Sequence, residues 1–186
     1  MNNQTHIISA LVKNQPGVLM RVAGMFSRRG FNIDSLAVGI THVVELSRIT
    51  ISTRGDQSMR EQIKKQLAKL PEVEDVRILP QENTVARNLA LFKVSSGEKR
   101  LEILKLAEVF RANVVDVTGS ILILEITGSE GKLSAFYDVL EPYGILEMGQ
   151  TGILALQRGE NVMRVEESKL KWPEQNDNQS RDIQIV

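Results

Sequence analysis

Cysteine is absent from the 186 residues. Its absence removes disulfide frameworks, thiolate metal sites and cysteine nucleophiles together, and it fits a reducing compartment such as the cytoplasm. Histidine is nearly absent too: His6 and His42 are the only two, with no ligand-like spacing, and both read as solvent-exposed imidazoles. Aromatics are few, at 4%. Net charge is missing as well, since 23 Lys and Arg balance 23 Asp and Glu, so no overall positive field exists to hold nucleic acid. No apolar run approaches the ~18 to 20 residues of a membrane span, and Met1 to His6 lacks the basic and apolar character of a signal segment. These absences leave a soluble chain, with neither a membrane nor a nucleic acid as partner.

What remains is ordinary globular material, 42% hydrophobic and 25% charged, enough for one domain or two small ones. Thr5 to Lys13 is a β-rich run ending in the turn Asn14-Gln15-Pro16-Gly17. Leu19, Val22, Ala23 and Phe26 then fall on one helical face, and Gly30 can supply a left-handed cap. Phe31 to Val38 and Val43 to Thr53 read as strands around a turn at Gly39 to His42. Arg48 and Thr50 alternate with Ile49 and Ile51, which predicts one covered and one wet sheet face. Ser58 with Glu61 suits a capping box ahead of a helix through Met59, Ile63, Leu67 and Leu70, stopped by Pro71; Val73 to Leu79 follows as a strand.

The order is βαββαβ, and it starts again. Leu89 to Val94, Glu98 to Phe110, Val114 to Thr118, Ile121 to Thr127, a helix carrying Leu133, Phe136, Tyr137 and Leu140, and Ile145 to Met148 with Ile153 to Leu156 closing the sheet make a second set. The expected fold class is α+β, two ferredoxin-like units in tandem: residues 1–80, a polar linker at 81–87, residues 88–160, and a polar, mobile tail at 161–186. Units of about 75 residues bury only ~60 to 65% of their unfolded surface, so association is physically expected. Trp172 in the tail reads either as a packed local residue or as an anchor for another protein.

Catalytic motifs do not appear. There is no G-x-S-x-G elbow, no G-x-x-x-x-G-K-[ST] loop and no G-x-G-x-x-G fingerprint, and Asp34, Glu45, Asp75 and Asp116 are scattered on strands and turns. One constellation stands out. The amides of Val18, Leu19 and Met20 should leave the turn free to receive a carboxylate, with Gly17 allowing close approach. Asn14 and Asn32 can serve the two ends of an amino-acid zwitterion. The plainer reading is that Asn14 and Gly17 only shape a turn.

Asn14-Gln15-Pro16-Gly17-Val18-Leu19, the stretch Arg21 to Leu36, Leu46 to Ile51, Gln62 to Leu70, Phe110 to Thr118 and Gly128 to Phe136 together resemble the small regulatory subunit of acetolactate synthase, or acetohydroxyacid synthase. The resemblance covers roughly Thr5 to Arg164. It implies an N-terminal ACT domain followed by a ferredoxin-like domain, and a chain without catalytic, metal or cofactor sites of its own. It further implies a large catalytic partner subunit carrying thiamine diphosphate, Mg²⁺ and FAD, activated by this chain and feedback-inhibited by valine, with leucine or isoleucine weaker. The effector then lies between two paired ACT domains, with Asn14, Gly17, Val18 and Leu19 from one chain and Asn32 and Ile33 from the other. A free-standing amino-acid sensor is the alternative, and a small carboxylate enzyme a third.

Overall fold

The computed structural model describes residues 4–163. In chain order, β1 (Gln4–Lys13), α1 (Val18–Arg28), β2 (Ser35–Ile40), β3 (Leu46–Gly55), α2 (Gln57–Leu67) and β4 (Val73–Leu79) form a first unit. A second follows: β5 (Thr84–Ser95), α3 (Arg100–Phe110), β6 (Asn113–Val117), β7 (Ile121–Gly128), α4 (Glu130–Leu140) and β8 (Ile145–Gln150), with β9 (Leu154–Gln157) after it. The sheets run β2-β3-β1-β4 and β6-β7-β5-β8, antiparallel at every neighbouring pair. The same βαββαβ permutation therefore occurs twice, giving the expected α+β class.

Each sheet buries one face under its own two helices. Ile8, Ala10 and Val12 on β1 and Ile49 and Ile51 on β3 meet Val22, Met25 and Phe26 of α1 and Ile63 and Leu67 of α2. In the second unit Ala90, Phe92 and Val94 occupy the matching positions, under Ile103 and Ala107 of α3 and Leu133, Phe136 and Leu140 of α4. Phe136 packs its ring 5.4 Å from Phe92 and 5.1 Å from Phe110. Period-2 alternation in the strands and 3.6 periodicity in the helices are what make these two faces coincide.

The other face of the first sheet is not wet, contrary to the alternation around Ile49. Ser9, Thr50 and Ser52 are buried on it, and Ile7 and Leu79 join Ile153 and Ala155 in a third apolar cluster that Ala86 also touches. Chain from the end of the second unit covers this face, a contact that no local pattern encodes. Arg48, on the same face, donates to Ser9 Oγ at 2.8 Å and lies 3.0 Å from Met163 Sδ. Burial lowers its guanidinium pKa, nearby Arg77 adds to the lowering, and Asp75 opposes it.

The residues expected to be a linker are partly strand. Thr84–Arg87 pair with Leu154–Gln157, so β5 is continuous from the β9 pairing into the second sheet. Correspondingly, β9 does not close that sheet; it lies off its path. A polar, four-residue edge segment looks like a loop when its partner is about 70 positions away. Two boundaries also move. β2 begins at Ser35 rather than Phe31, because the Phe31 amide closes α1 by donating to Phe26 O, with Gly30 in the left-handed conformation, and Asn32 O accepts from Thr53 Oγ1 at 2.6 Å. Asp56, not Ser58, caps α2, accepting from Met59 N at 2.7 Å. The expectations for residues 164–186, Trp172 included, lie outside the described residues.

Candidate ligand site

The first turn behaves as its composition requires. Gly17 is the N-cap of α1 with φ +86°, a left-handed conformation that favours glycine, and it offers no side chain to the helix start. A Cβ built there would meet nothing within 4 Å, so the space in front of the helix is open. The Val18 amide donates to Gln15 O in a long bond of 3.4 Å, and the amides of Leu19 and Met20, in the first turn of α1, have no carbonyl within the helix to donate to. Partial positive charge and free N–H groups at one point make a carboxylate seat.

Around this seat the side chains divide by burial. Val18 is buried in the first core, so only its backbone can serve a ligand, whereas Leu19 is 44% exposed and can form an apolar wall. Asn14 is exposed; its amide nitrogen donates to Val44 O at 3.1 Å and its backbone N–H to Glu45 O at 2.7 Å, which ties the β2–β3 loop to the first turn. Asn32, also exposed, donates through Nδ2 to Asp34 Oδ1 at 3.0 Å. Both carboxamides are thus anchored by nitrogen. Each has its oxygen left to accept, which matches an ammonium group.

Within one chain these six residues form two groups, not one. The first is level with Glu45 and Leu46 at the start of β3; the second is level with Ser52 and Thr53 near its end, since Asp34 N donates to Ser52 O. At ~3.3 Å per residue the groups stand roughly 25 Å apart along the strand. Ile33 is partly buried against the first core. Sequence reasoning did not single out Asp34 in this role, although it holds the Asn32 amide and pairs with Arg54 Nε at 3.1 Å. A carboxylate two residues after an asparagine was the available signal.

Catalytic geometry is sparse. His6 is buried, not exposed as expected, with its Nε2 3.0 Å from Gly55 O. His42 is exposed. Asp34 and Asp75 are paired with Arg54 and Arg77, and Glu45 and Asp116 are exposed and separate. Among the described residues no group of three or more His, Asp or Glu could hold a metal, and no helix is long and apolar enough to cross a membrane.

A βαββαβ unit with this strand order and an open, glycine-capped helix start has the architecture of an ACT domain, here joined to a second ferredoxin-like unit. Residues 8–75 match the family model of the AHAS small subunit-like ACT domain, and residues 87–159 that of the small subunit of acetolactate synthase. The probable acetolactate synthase small subunit of Archaeoglobus fulgidus is 50% identical over 155 residues, covering 83% of this chain and 97% of that one. The acetolactate synthase small subunit of Mycobacterium bovis is 48% identical over 160 residues, 86% of this chain and 95% of its own. The crystal structure of the small subunit from Thermotoga maritima superposes with a TM-score of 0.81 at 43% identity, covering 86% of this chain and 99% of that one. The chain belongs to the family of acetolactate synthase small subunits.

Proposed function

We propose that this chain is the non-catalytic regulatory subunit of a cytoplasmic acetolactate synthase in branched-chain amino acid biosynthesis. It activates a larger catalytic subunit, which carries the thiamine diphosphate, Mg²⁺ and FAD, and makes that enzyme inhibitable by valine. Membership in a small-subunit family supports a larger partner. The two-ended placement of the six site residues supports the effector site.

The observation that carries the reading is the β2 edge. This strand has only one neighbour in its sheet, and it leaves Val38 and Ile40 exposed, the latter at 70%. Unpaired edges of this kind recruit a further strand. Its start lies at the Asn32 end and its finish, where Thr41 N donates to Leu46 O, at the Asn14 end. If two copies join antiparallel through β2, the start of one comes beside the finish of the other. Asn32 and Ile33 of one chain then face Asn14, Gly17, Val18 and Leu19 of its partner, twice per dimer. Helix amides take the effector carboxylate, asparagine oxygens take the ammonium, and Leu19 and Ile33 flank the alkyl group.

A ligand shared between chains favours one pairing over another, and such a difference typically supplies ~1 to 3 kcal/mol of coupling to a bound enzyme. Selectivity among valine, leucine and isoleucine is modest, because one methylene in an apolar pocket discriminates by only about 1 to 3 kcal/mol. The test is to add the purified chain to an isolated catalytic subunit and assay acetolactate formation with and without valine. Activation and acquired inhibition are expected. Valine binding without any association points to a free-standing sensor, and turnover by the chain alone to an enzyme.

A further inference from the structure

The second unit touches the first at the strand that follows Asn32 and Ile33. Ser35, the first residue of β2, accepts through Oγ the backbone N–H of Ile153 at 2.9 Å. Ser35 lies opposite Ser52, and Ser52 opposite Ile7, so the Ser35 side chain is on the sheet face that the second unit covers. Ile153 belongs to the corner between β8 and β9 and is 8% exposed, packed with Ile7, Leu79 and Ala155. Two residues earlier, Thr151 N–H donates to Leu89 O of β5 at 3.0 Å, so the corner is tied to its own sheet as well. Between them stands Gly152, with φ +81° in the left-handed region. A Cβ there would lie 3.0 Å from both Leu36 O and Ser35 Oγ. Backbone conformation and the close approach to β2 therefore both demand glycine at this position.

The start of β2 needs such a hold. It is an edge strand with β3 as its one neighbour, and the chain ahead of Ser35 is fixed to β3 by Asp34 N donating to Ser52 O at 2.9 Å and Thr53 Oγ1 to Asn32 O at 2.6 Å. Those bonds join neighbours within the first sheet; the Ile153 amide adds a tie from across its face. We propose that the β8–β9 corner regulates the effector site, with Ser35 and Gly152 as positioning residues that hold Asn32 and Ile33 in their binding arrangement. This role rests on the reading of Asn32 and Ile33 as an effector half-site. A half-site that is already ordered binds more tightly, because the ligand does not have to supply the ordering. The coupling is reciprocal: a corner that strengthens effector binding is itself tightened when the effector binds.

The full-length chain is titrated with valine by calorimetry, and amide hydrogen exchange of the peptide containing Ile153 is followed by mass spectrometry with and without valine. In the wild type, saturating valine should slow that exchange by about threefold or more, although Ile153 is not an effector residue. Ser35→Ala removes the acceptor and Gly152→Ala drives the corner off β2; each should weaken valine by about fivefold or more, with the oligomeric state unchanged in sedimentation velocity. Gly159→Ala is the control: at φ +75°, with nothing within 4 Å of an added Cβ, it carries the backbone strain without the contact. Its valine affinity should stay within about twofold of wild type. If Gly152→Ala does not fold, Ser35→Ala decides. Wild-type affinity in Ser35→Ala, an equal loss in Gly159→Ala, a loss that arises only through dissociation to monomers, or Ile153 exchange indifferent to valine overturns the role of the corner and leaves the effector site standing. A wild-type chain that binds no valine overturns both.

Discussion

Substituting Gly17 by Asp separates the helix-start seat from every other explanation of effector binding. The backbone cost is small. Gly17 sits at φ +86°, and an added Cβ meets nothing within 4 Å, so no clash arises. A side chain in the left-handed region costs roughly 1 to 2 kcal/mol, less for Asp and Asn, and the melting temperature should fall by no more than about 2 to 4 °C. The electrostatic cost to an effector is larger. The new carboxylate competes for the same amides and faces the effector carboxylate at about 4 Å, a repulsion of about 1 kcal/mol in water and about 4 kcal/mol at an effective dielectric of 20. Gly17 is exposed, which places the real figure inside that range. With weakened hydrogen bonds added, the loss should be about 2 to 4 kcal/mol, roughly 30-fold to 700-fold in Kd. Gly17→Asn has similar shape without the charge and should lose less than about tenfold. Calorimetry with valine, alongside assays of the reconstituted enzyme, reads both. The expected enzyme is activated but valine-insensitive. Wild-type valine affinity in a folded Gly17→Asp chain would remove the α1 start from the site.

Further outcomes follow from the same geometry. Asn32→Ala should weaken valine binding by about 1 to 3 kcal/mol through loss of an acceptor, measured by calorimetry. Ile40→Lys, at an exposed position on the β2 edge, should convert dimers to monomers in sedimentation velocity and lower valine affinity in parallel. Thr50 is 1% exposed and its hydroxyl has no partner, so Thr50→Val should stabilise the chain by about 1 kcal/mol in urea titration. Asp56→Ala should cost about 1 kcal/mol, because the Met59 amide loses its acceptor.

Local physics made much of this legible from residues alone. The helix after Gly17, the Gly30 cap and the repeated βαββαβ order rest on periodicity and turn chemistry, which act within a few residues, but the buried face of α1 is Val18, Val22, Met25 and Phe26, with the expected Leu19 left 44% exposed. Long-range contacts were the illegible part. Nothing near Thr84–Arg87 tells that its partner is Leu154–Gln157, and nothing near Ser9 or Thr50 tells that distant chain will bury them. Asp56 and Ser58 are both competent caps, and only the position of the helix chose between them. At the candidate site, the residue types were readable in the turn and after α1. That the two groups sit at opposite ends of β3 was not, because separation along a strand depends on register.

Continuity of β5 has a mechanical corollary. Only a short turn separates it from β4, its first four residues are held by β9, and Ile7, Leu79, Ile153 and Ala155 fasten the seam from both sides. A protease finds little slack peptide there to cut, and the halves have no free swivel. Heat should melt them in one cooperative step, and a torque applied to the first sheet should arrive in the second undiminished by any joint.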